Sequence, residues 1–525
     1  MRTPRGMHAR AFLTCAIIIV FANSCSLSGP RAVSSAPQAK DFEAAIARIA
    51  RADPGSPAVL SAQLAYAEFL LSEASDSCEE RLERAQEQLV SVDASPKARV
   101  MFPDGWARLA DLEYRLHLAR TACGSEADQA NELRAAAAAA RRAVELYRNV
   151  FDYHSMVVMQ FDAGITLHQL GENTAALAAL ETAIDMDREY GFQDDASENY
   201  KLLLTWSGKP ADAAQVAELM QDFPQRQVTL KFGWHPSDAR ITLETRREFL
   251  NDGQIGASRA VATFERHIGA NDDGGWIVSH AHRLTQYEPG VWATIQGSQT
   301  PPIILPPAAL PAVNFKVSAA GEFEGVTDSE SFATRLATKT EGLIRAAAPP
   351  GDLARSLTRE AVESAAVILS PGMLEAATAE NYQLETAMWI GATLDQGVWY
   401  EISAPLSLPG APRVVLQNQI QFAFTRMVPC TAGAKKQTCV EIVFHATPEE
   451  QSLDQMMRDL RIQFWLDRFT YFTASTEVRI VTDPATLMNY AREEWVSWYG
   501  SLGKSKKDKV LQSEHLVSTT SYGAD

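Results

Sequence analysis

The chain has 525 residues, 46% of them hydrophobic and 22% charged, and its formal net charge is −17. At about 150 residues per domain that length admits two to four domains, and the composition is that of a globular protein with a substantial core. Most of the acidic excess lies in residues 41–224, where no Lys/Arg cluster offsets it, so the balance speaks against a nucleic-acid partner.

The N-terminus reads as an export signal. Arg2, Arg5 and Arg10 form a charged start, and residues 11–22 form an apolar run. Twelve helical residues span about 18 Å, short of the roughly 30 Å of bilayer hydrocarbon, which disfavours a transmembrane anchor. Ala22-Asn23-Ser24-Cys25 then resembles a bacterial lipobox, with Asn23 as its departure, and the resemblance implies that Cys25 is the lipidated first residue of the mature chain. Ordinary cleavage between Ser24 and Cys25 is the alternative. Residues 1–24 are thus a signal peptide, and 25–40, rich in Ser, Ala and Pro, a flexible tether. Ser26 after the cysteine points to the outer membrane, facing the periplasm.

Residues 41–224 are a succession of predicted helices: 41–52, 57–74, 77–92, 104–122, 126–150, 153–170, 173–189, 196–207 and 210–222. Breaks fall at Asp53-Pro54-Gly55, Pro103-Asp104-Gly105, Cys123-Gly124 and Gly208-Lys209-Pro210. Within 152–189, small residues (Ala163, Gly164, Ala176, Ala179, Ala183) sit where two helices must touch, and Leu167, Leu170, Leu177, Leu180 and Ile184 fill between them. This stretch resembles the tetratricopeptide repeat: Gly164 matches its first glycine, and Ala176 with Leu180 its A-x3-F pair. Gln160, Leu167 and Arg188 depart from its Trp, Tyr and Pro. The resemblance implies a solenoid of antiparallel helix pairs, with a groove able to hold a protein partner.

From Gln225 the period changes to two. VTLKFGWH, ARITLETRREFL, IGASRAVATFERHI and WIVSHAHRLTQYE read as a meander, with turns at Asn251–Gln254 and Asp272–Gly275. Residues 300–312 are Pro-rich and read as a rigid crossing. Helices are predicted over 328–347 and 351–395, strands at VWYEISAPL, VVLQNQIQFAFTRMV and CVEIVFHAT, a helix over 449–467, and three long strands at the end. The fold class is therefore α+β: a helical, tetratricopeptide-like solenoid (41–224), then a large antiparallel sheet with interposed helices (225–525).

No G-x-S-x-G, H-E-x-x-H or G-x-G-x-x-G motif occurs, so no catalytic residue or cofactor is assigned. Gly500–Ser505 has two residues between its glycines where a phosphate loop needs four. With Cys15 lost in the signal and Cys25 lipidated, four cysteines remain for an oxidising compartment. In an up-down solenoid Cys78 and Cys123 end adjacent helices at one edge, and Cys430 and Cys439 flank a strand turn, so the pairing is Cys78–Cys123 and Cys430–Cys439. One metal constellation is open. If Asp273-Gly274 centres its hairpin, His267 faces His280 and Glu265 faces His282, so four ligands project from one side. A five-residue loop shifts the register by one and separates the pairs. Two function classes follow. One is a binding or assembly lipoprotein that holds a protein partner on its helices and a hydrophobic ligand on its sheet; the other is a metal-dependent envelope enzyme using that cluster.

Overall fold

The computed structural model describes residues 39–52, 57–72, 78–95, 103–124, 126–224, 226–251, 254–288, 303–305, 311–347, 370–408, 411–431, 436–449, 451–453, 455, 471–501 and 509–522. The expectations placed on the export signal, Cys25, most of the tether and residues 351–369 lie outside them, as do most of the Pro-rich crossing and of the 449–467 helix.

Helices come first: α1 (Ala39–Ala52), α2 (Pro57–Ser72), α3 (Cys78–Asp93), α4 (Pro103–Cys123), α5 (Glu126–Asn149), α6 (Tyr153–Gln169), α7 (Asn173–Tyr190), α8 (Gln193–Trp206) and α9 (Ala213–Leu219). Their ends follow local chemistry. Asp152 Oδ1 accepts from the Ser155 N–H at 3.0 Å, Asp212 Oδ1 accepts from that of Gln215 at 2.9 Å, and α7 stops at Gly191 with φ +87°. Each helix packs on the next in sequence. Leu64, Leu70, Leu82, Leu89, Leu109 and Leu112 form one buried cluster at the α1–α4 end. A second, alanine-rich core joins α4, α5, α6 and α7, where Ala136, Ala140, Ala143 and Ala163 permit close helix contact.

Both disulfides are present. Cys78 opens α3 and Cys123 closes α4, with Cα atoms 6.3 Å apart; the Cα atoms of Cys430 and Cys439 are 5.0 Å apart. The second bridge is staggered rather than directly cross-strand, because a register shift pairs Cys439 with Val428. Loop closure in the unfolded chain scales with the 45- and 9-residue separations. Replacing Cys78 and Cys123 by Ser should therefore lower the unfolding free energy by about 4 kcal/mol, and replacing Cys430 and Cys439 by about 2.5 kcal/mol, in urea titrations of the oxidised proteins.

The second half is built on β1 (Gln227–Thr229), β2 (Ser237–Asn251), β3 (Gln254–Ala270), β4 (Trp276–Glu288), β5 (Ile303–Leu305), β6 (Val313–Val317), β7 (Phe323–Val326), α10 (Ser329–Ala347) and α11 (Pro371–Glu385). It continues with β8 (Thr393–Asp395), β9 (Trp399–Leu408), β10 (Ala411–Pro429), β11 (Gln437–Pro448), β12 (Tyr471–Thr482), β13 (Asn489–Ser501) and β14 (Lys509–Tyr522). Twelve strands form one antiparallel sheet in the order β7-β6-β4-β3-β2-β14-β13-β12-β11-β10-β9, with β5 beside β4. The sheet is curled. Helix α11 contacts both β7 and β10, which lie nine steps apart in this order. A flat sheet would separate those strands by about 43 Å at about 4.8 Å per step, whereas fifteen helical residues reach only about 22 Å.

Two predicted elements differ. VTLKFGWH is not a meander strand: only β1 is extended, and it pairs with β8 in a separate ribbon. Beyond it the Leu230, Lys231 and Gly233 N–H groups donate to Ala392, Pro484 and Thr486 carbonyls, and Leu230 and Trp234 are buried. The predicted 351–395 helix gives way after α11 to a 3-10 turn at Ala387–Trp389, Gly391 at φ +77° and β8. Pro371 sets the start of α11, because its fixed φ suits the first helical turn.

The helical array meets the outer face of β10 and β11 through its turns. Val150, Phe151, Tyr153 and Tyr190 pack with Ala423 and Val443 in one core. Gln396 Nε2 donates to the Glu189 carbonyl at 2.6 Å, and a Cβ on Gly191 would come within 2.9 Å of the Gln396 carbonyl oxygen. Only glycine fits that joint, both for space and for its positive φ.

Candidate functional site

On the inner face of the sheet, alternate residues of β2, β3, β4, β13 and β14 point towards α10 and α11. Between them lies a cavity of about 700 Å³. Its walls include Ile241, Leu243, Phe264, Val278, Phe315, Val496 and Leu516 from the strands, with Phe332 and Leu336 from α10. Tyr382 of α11 closes one side: its OH donates to the Gly321 carbonyl at 2.8 Å, and its ring meets Trp234 edge-on at 5.7 Å.

A polar band crosses these apolar walls. Arg492 of β13, almost fully buried, donates to Glu385 Oε1 on α11 at 3.0 Å and to Glu494 Oε2 at 2.6 Å. Burial opposes its charge, but the two carboxylates beside it outweigh that and hold its pKa above the usual arginine value. Arg266 of β3 lies 3.8 Å from the other Glu385 oxygen, and its Nε donates to His280 Nε2 at 2.7 Å. His280 accepts that bond as a neutral ring; burial, and then the Arg266 charge, push its pKa well below the usual histidine value. His282 is 3% exposed; its Nε2 is 2.8 Å from Thr285 Oγ1, and burial lowers its pKa too. Asn489 Nδ2 donates to the Glu385 carbonyl at 2.9 Å, which fixes the end of α11 to β13.

No family model and no curated protein sequence matches the chain. Among solved structures the chain is similar to lipovitellin, in a structure concerned with its lipid–protein interactions, at 9% identity and a TM-score of 0.30. That match covers 55% of this chain and 25% of the lipovitellin chain. So low a score assigns no function.

The four candidate metal ligands are not brought together. The β3–β4 loop is the five-residue Asn271–Gly275, and Arg266 pairs with His280 and Phe264 with His282. Glu265 and His267 consequently fall on the outer face, where Glu265 pairs with Arg283 and His267 Nδ1 lies 2.7 Å from Asp238 Oδ1. His280 and His282 line the cavity instead. Among the described residues, no group of three or more His, Cys, Asp or Glu could hold a metal ion. The loop owes its length to its own polar side chains: Gly275 N–H donates to Asp273 Oδ1 at 3.0 Å, and Asn271 Nδ2 to Asp273 Oδ2 at 2.8 Å.

Arg266, Arg492 and Glu385 were missed by motif reading, yet a signal existed. Arg266 lies between Phe264 and Ile268 in the apolar phase of β3, and Arg492 shares the phase of Val496. A charged residue in a strand's inward phase needs a buried partner. A second, larger cleft of about 1370 Å³ opens where α8 and the α5–α6 turn approach β9, β11 and β12, with Asp194, Asp195, Asp395 and Glu401 on its walls beside Trp399. Among the described residues, no helix is long and apolar enough to cross a membrane.

Proposed function

We propose that this is a non-enzymatic binding protein of the bacterial envelope, whose curled sheet holds a hydrophobic ligand beneath α10 and α11. The observation that carries this reading is the cavity itself. Protein interiors are close-packed, so a hollow of about 700 Å³, its apolar walls crossed by one polar band, is a departure from ordinary core packing. Its size falls within the roughly 300–1,000 Å³ of small-molecule sites. A chain of about twelve buried methylenes would gain about 10 kcal/mol from desolvation before ordering costs, at about 0.8 kcal/mol each.

The tetratricopeptide-like residues Gly164, Ala176 and Leu180 support a protein partner for the helical array, and Ala22–Cys25 supports a lipid anchor at Cys25 that faces the protein into the periplasm.

Protein purified from its native host and sprayed intact should carry a bound amphiphile visible as added mass. In Leu243→Trp/Leu516→Trp, which places two indoles in the cavity, the added mass should disappear while the circular dichroism spectrum stays unchanged. Wild-type protein that carries no such mass and fails to take up an anthroyloxy-labelled fatty acid would overturn the reading.

A further inference from the structure

A cavity that took plain hydrocarbon would gain nothing from polar walls, and this one keeps several. Three of its lining residues are more than nine-tenths buried and hold a polar atom with no partner among the described residues: His282 Nδ1, Asn489 Oδ1 and Arg492 Nε. Buried polar atoms are nearly always paired, so three around one cavity call for an explanation. The charges add a second observation. Arg266 and Arg492 come from β3 and β13, three steps apart in the sheet, and meet on a single carboxylate. That carboxylate, Glu385, belongs to the helix over the cavity and not to the sheet that carries the two cations. It is also more exposed than either guanidinium, at 25% against 13% and 9%.

On the reading that the cavity holds a hydrophobic ligand, we propose that the ligand is a single-chain amphiphile with an anionic head, and that the head competes with Glu385 for Arg266 and Arg492. Carboxylate and phosphate both suit the chemistry. Each offers acceptor oxygens to two guanidinium groups, and such charge-assisted bonds are about twice as strong as neutral ones. Arg492 Nε supplies one further donor, and His282 Nδ1 another when Thr285 donates to Nε2. Displacement of the Glu385 carboxylate would remove the Arg492 tie between α11 and β13 and leave the Asn489 bond to the Glu385 carbonyl to hold that end, so the helix would loosen. Loading and loosening of the covering helix would then be one event.

The test uses full-length, delipidated protein carrying an anthroyloxy fatty-acid probe, displaced by hexadecanoate, hexadecyl phosphate, hexadecanol or inorganic phosphate. Both anionic chains should displace the probe at least about tenfold better than the alcohol, the factor given by about 1.4 kcal/mol of head-group binding. Whichever anion wins identifies the head, and inorganic phosphate should not compete. Glu385→Gln should strengthen binding of the anions about tenfold and leave the alcohol unchanged, whereas Arg492→Met and Arg266→Gln should reduce the preference for anions. Equal displacement by the alcohol and the anions, or competition by inorganic phosphate, overturns the anionic-head proposal and leaves the cavity reading standing. If no chain binds the wild type, the cavity reading falls as well.

Discussion

Replacing Glu441 by Ala should lower the unfolding free energy by about 3–5 kcal/mol and loosen the helical array from the sheet. Glu441 of β11 is 1% exposed and lies under the joint between the two halves. Its oxygens accept from Thr425 Oγ1 at 2.9 Å and Arg426 Nε at 3.1 Å, and Arg479 Nε lies 3.3 Å away. Arg426 extends the link to α7: it pairs with Glu189, and its guanidinium carbon sits 5.8 Å and 5.2 Å from the ring centres of Tyr153 and Tyr190. Burial works against the Arg426 charge, but Glu441 beside it more than compensates and raises its pKa in the intact protein. With Glu441 gone, the intrinsic basicity of the guanidinium still keeps Arg426 charged. Without Glu441, two cations remain in a poorly solvated joint. Glu441→Gln keeps the Thr425 acceptor and should cost less, and Arg426→Met in the Glu441→Ala background should recover part of the loss. Urea titration gives the energies, and limited proteolysis reports whether α6 and α7 become accessible before the sheet unfolds. A Glu441→Ala protein within about 1 kcal/mol of wild type would remove this carboxylate from the joint's energetics.

Why the helices and most strands could be read from the residues follows from local physics. Helical period and breakers placed α1 to α9 within a few residues, because Pro103, Gly124 and Gly171 act on the chain where they stand. Ile420, Phe422 and Phe424 alternate towards the inner core on β10, as do Val440, Ile442 and Phe444 on β11, and a buried sheet face demands that period. VTLKFGWH shows the same alternation yet forms no meander strand. Apolar alternation cannot tell a strand from a segment that buries Leu230 and Trp234 beneath the sheet.

The candidate site was less legible, for two separate reasons. Placement of Glu265, His267, His280 and His282 depended on one residue of register. That register was decided by hydrogen bonds inside Asn271–Gly275, which no strand period reveals. The Arg266–Glu385–Arg492 junction joins residues more than a hundred positions apart. Only curling of the sheet around α11 brings them together, and curvature is a property of the whole ladder. What the sequence did carry was each inward-facing charge, one strand at a time.

Asp187→Asn should stabilise the protein by about 4 kcal/mol at pH 7 and by almost nothing at pH 4. Asp187 of α7 is fully buried; its Oδ2 accepts from Asn199 Nδ2 at 2.7 Å, and its Oδ1 has no partner among the described residues. Burial raises its pKa to about 8; the Asn199 bond acts against this and the Asp195 charge adds to it. In the unfolded chain the carboxyl ionises near its ordinary value of about 3.9. Between those two values the folded protein holds a proton that the unfolded chain has released. Rising pH therefore favours the unfolded state by about 1.4 kcal/mol per unit, from about pH 4 until the loss levels off above the folded pKa. Asparagine keeps an acceptor for Asn199 and never ionises, so it removes this penalty without changing the side chain's shape. Urea titrations of both proteins from pH 4 to pH 9 should give curves that separate steadily and then run parallel. Titration of groups that do not interact with Asp187 cancels in the difference, which isolates its ionisation. A constant difference across that range would mean that its carboxyl ionises in the folded protein as it does in water, and that its burial is relieved by contacts other than the Asn199 bond.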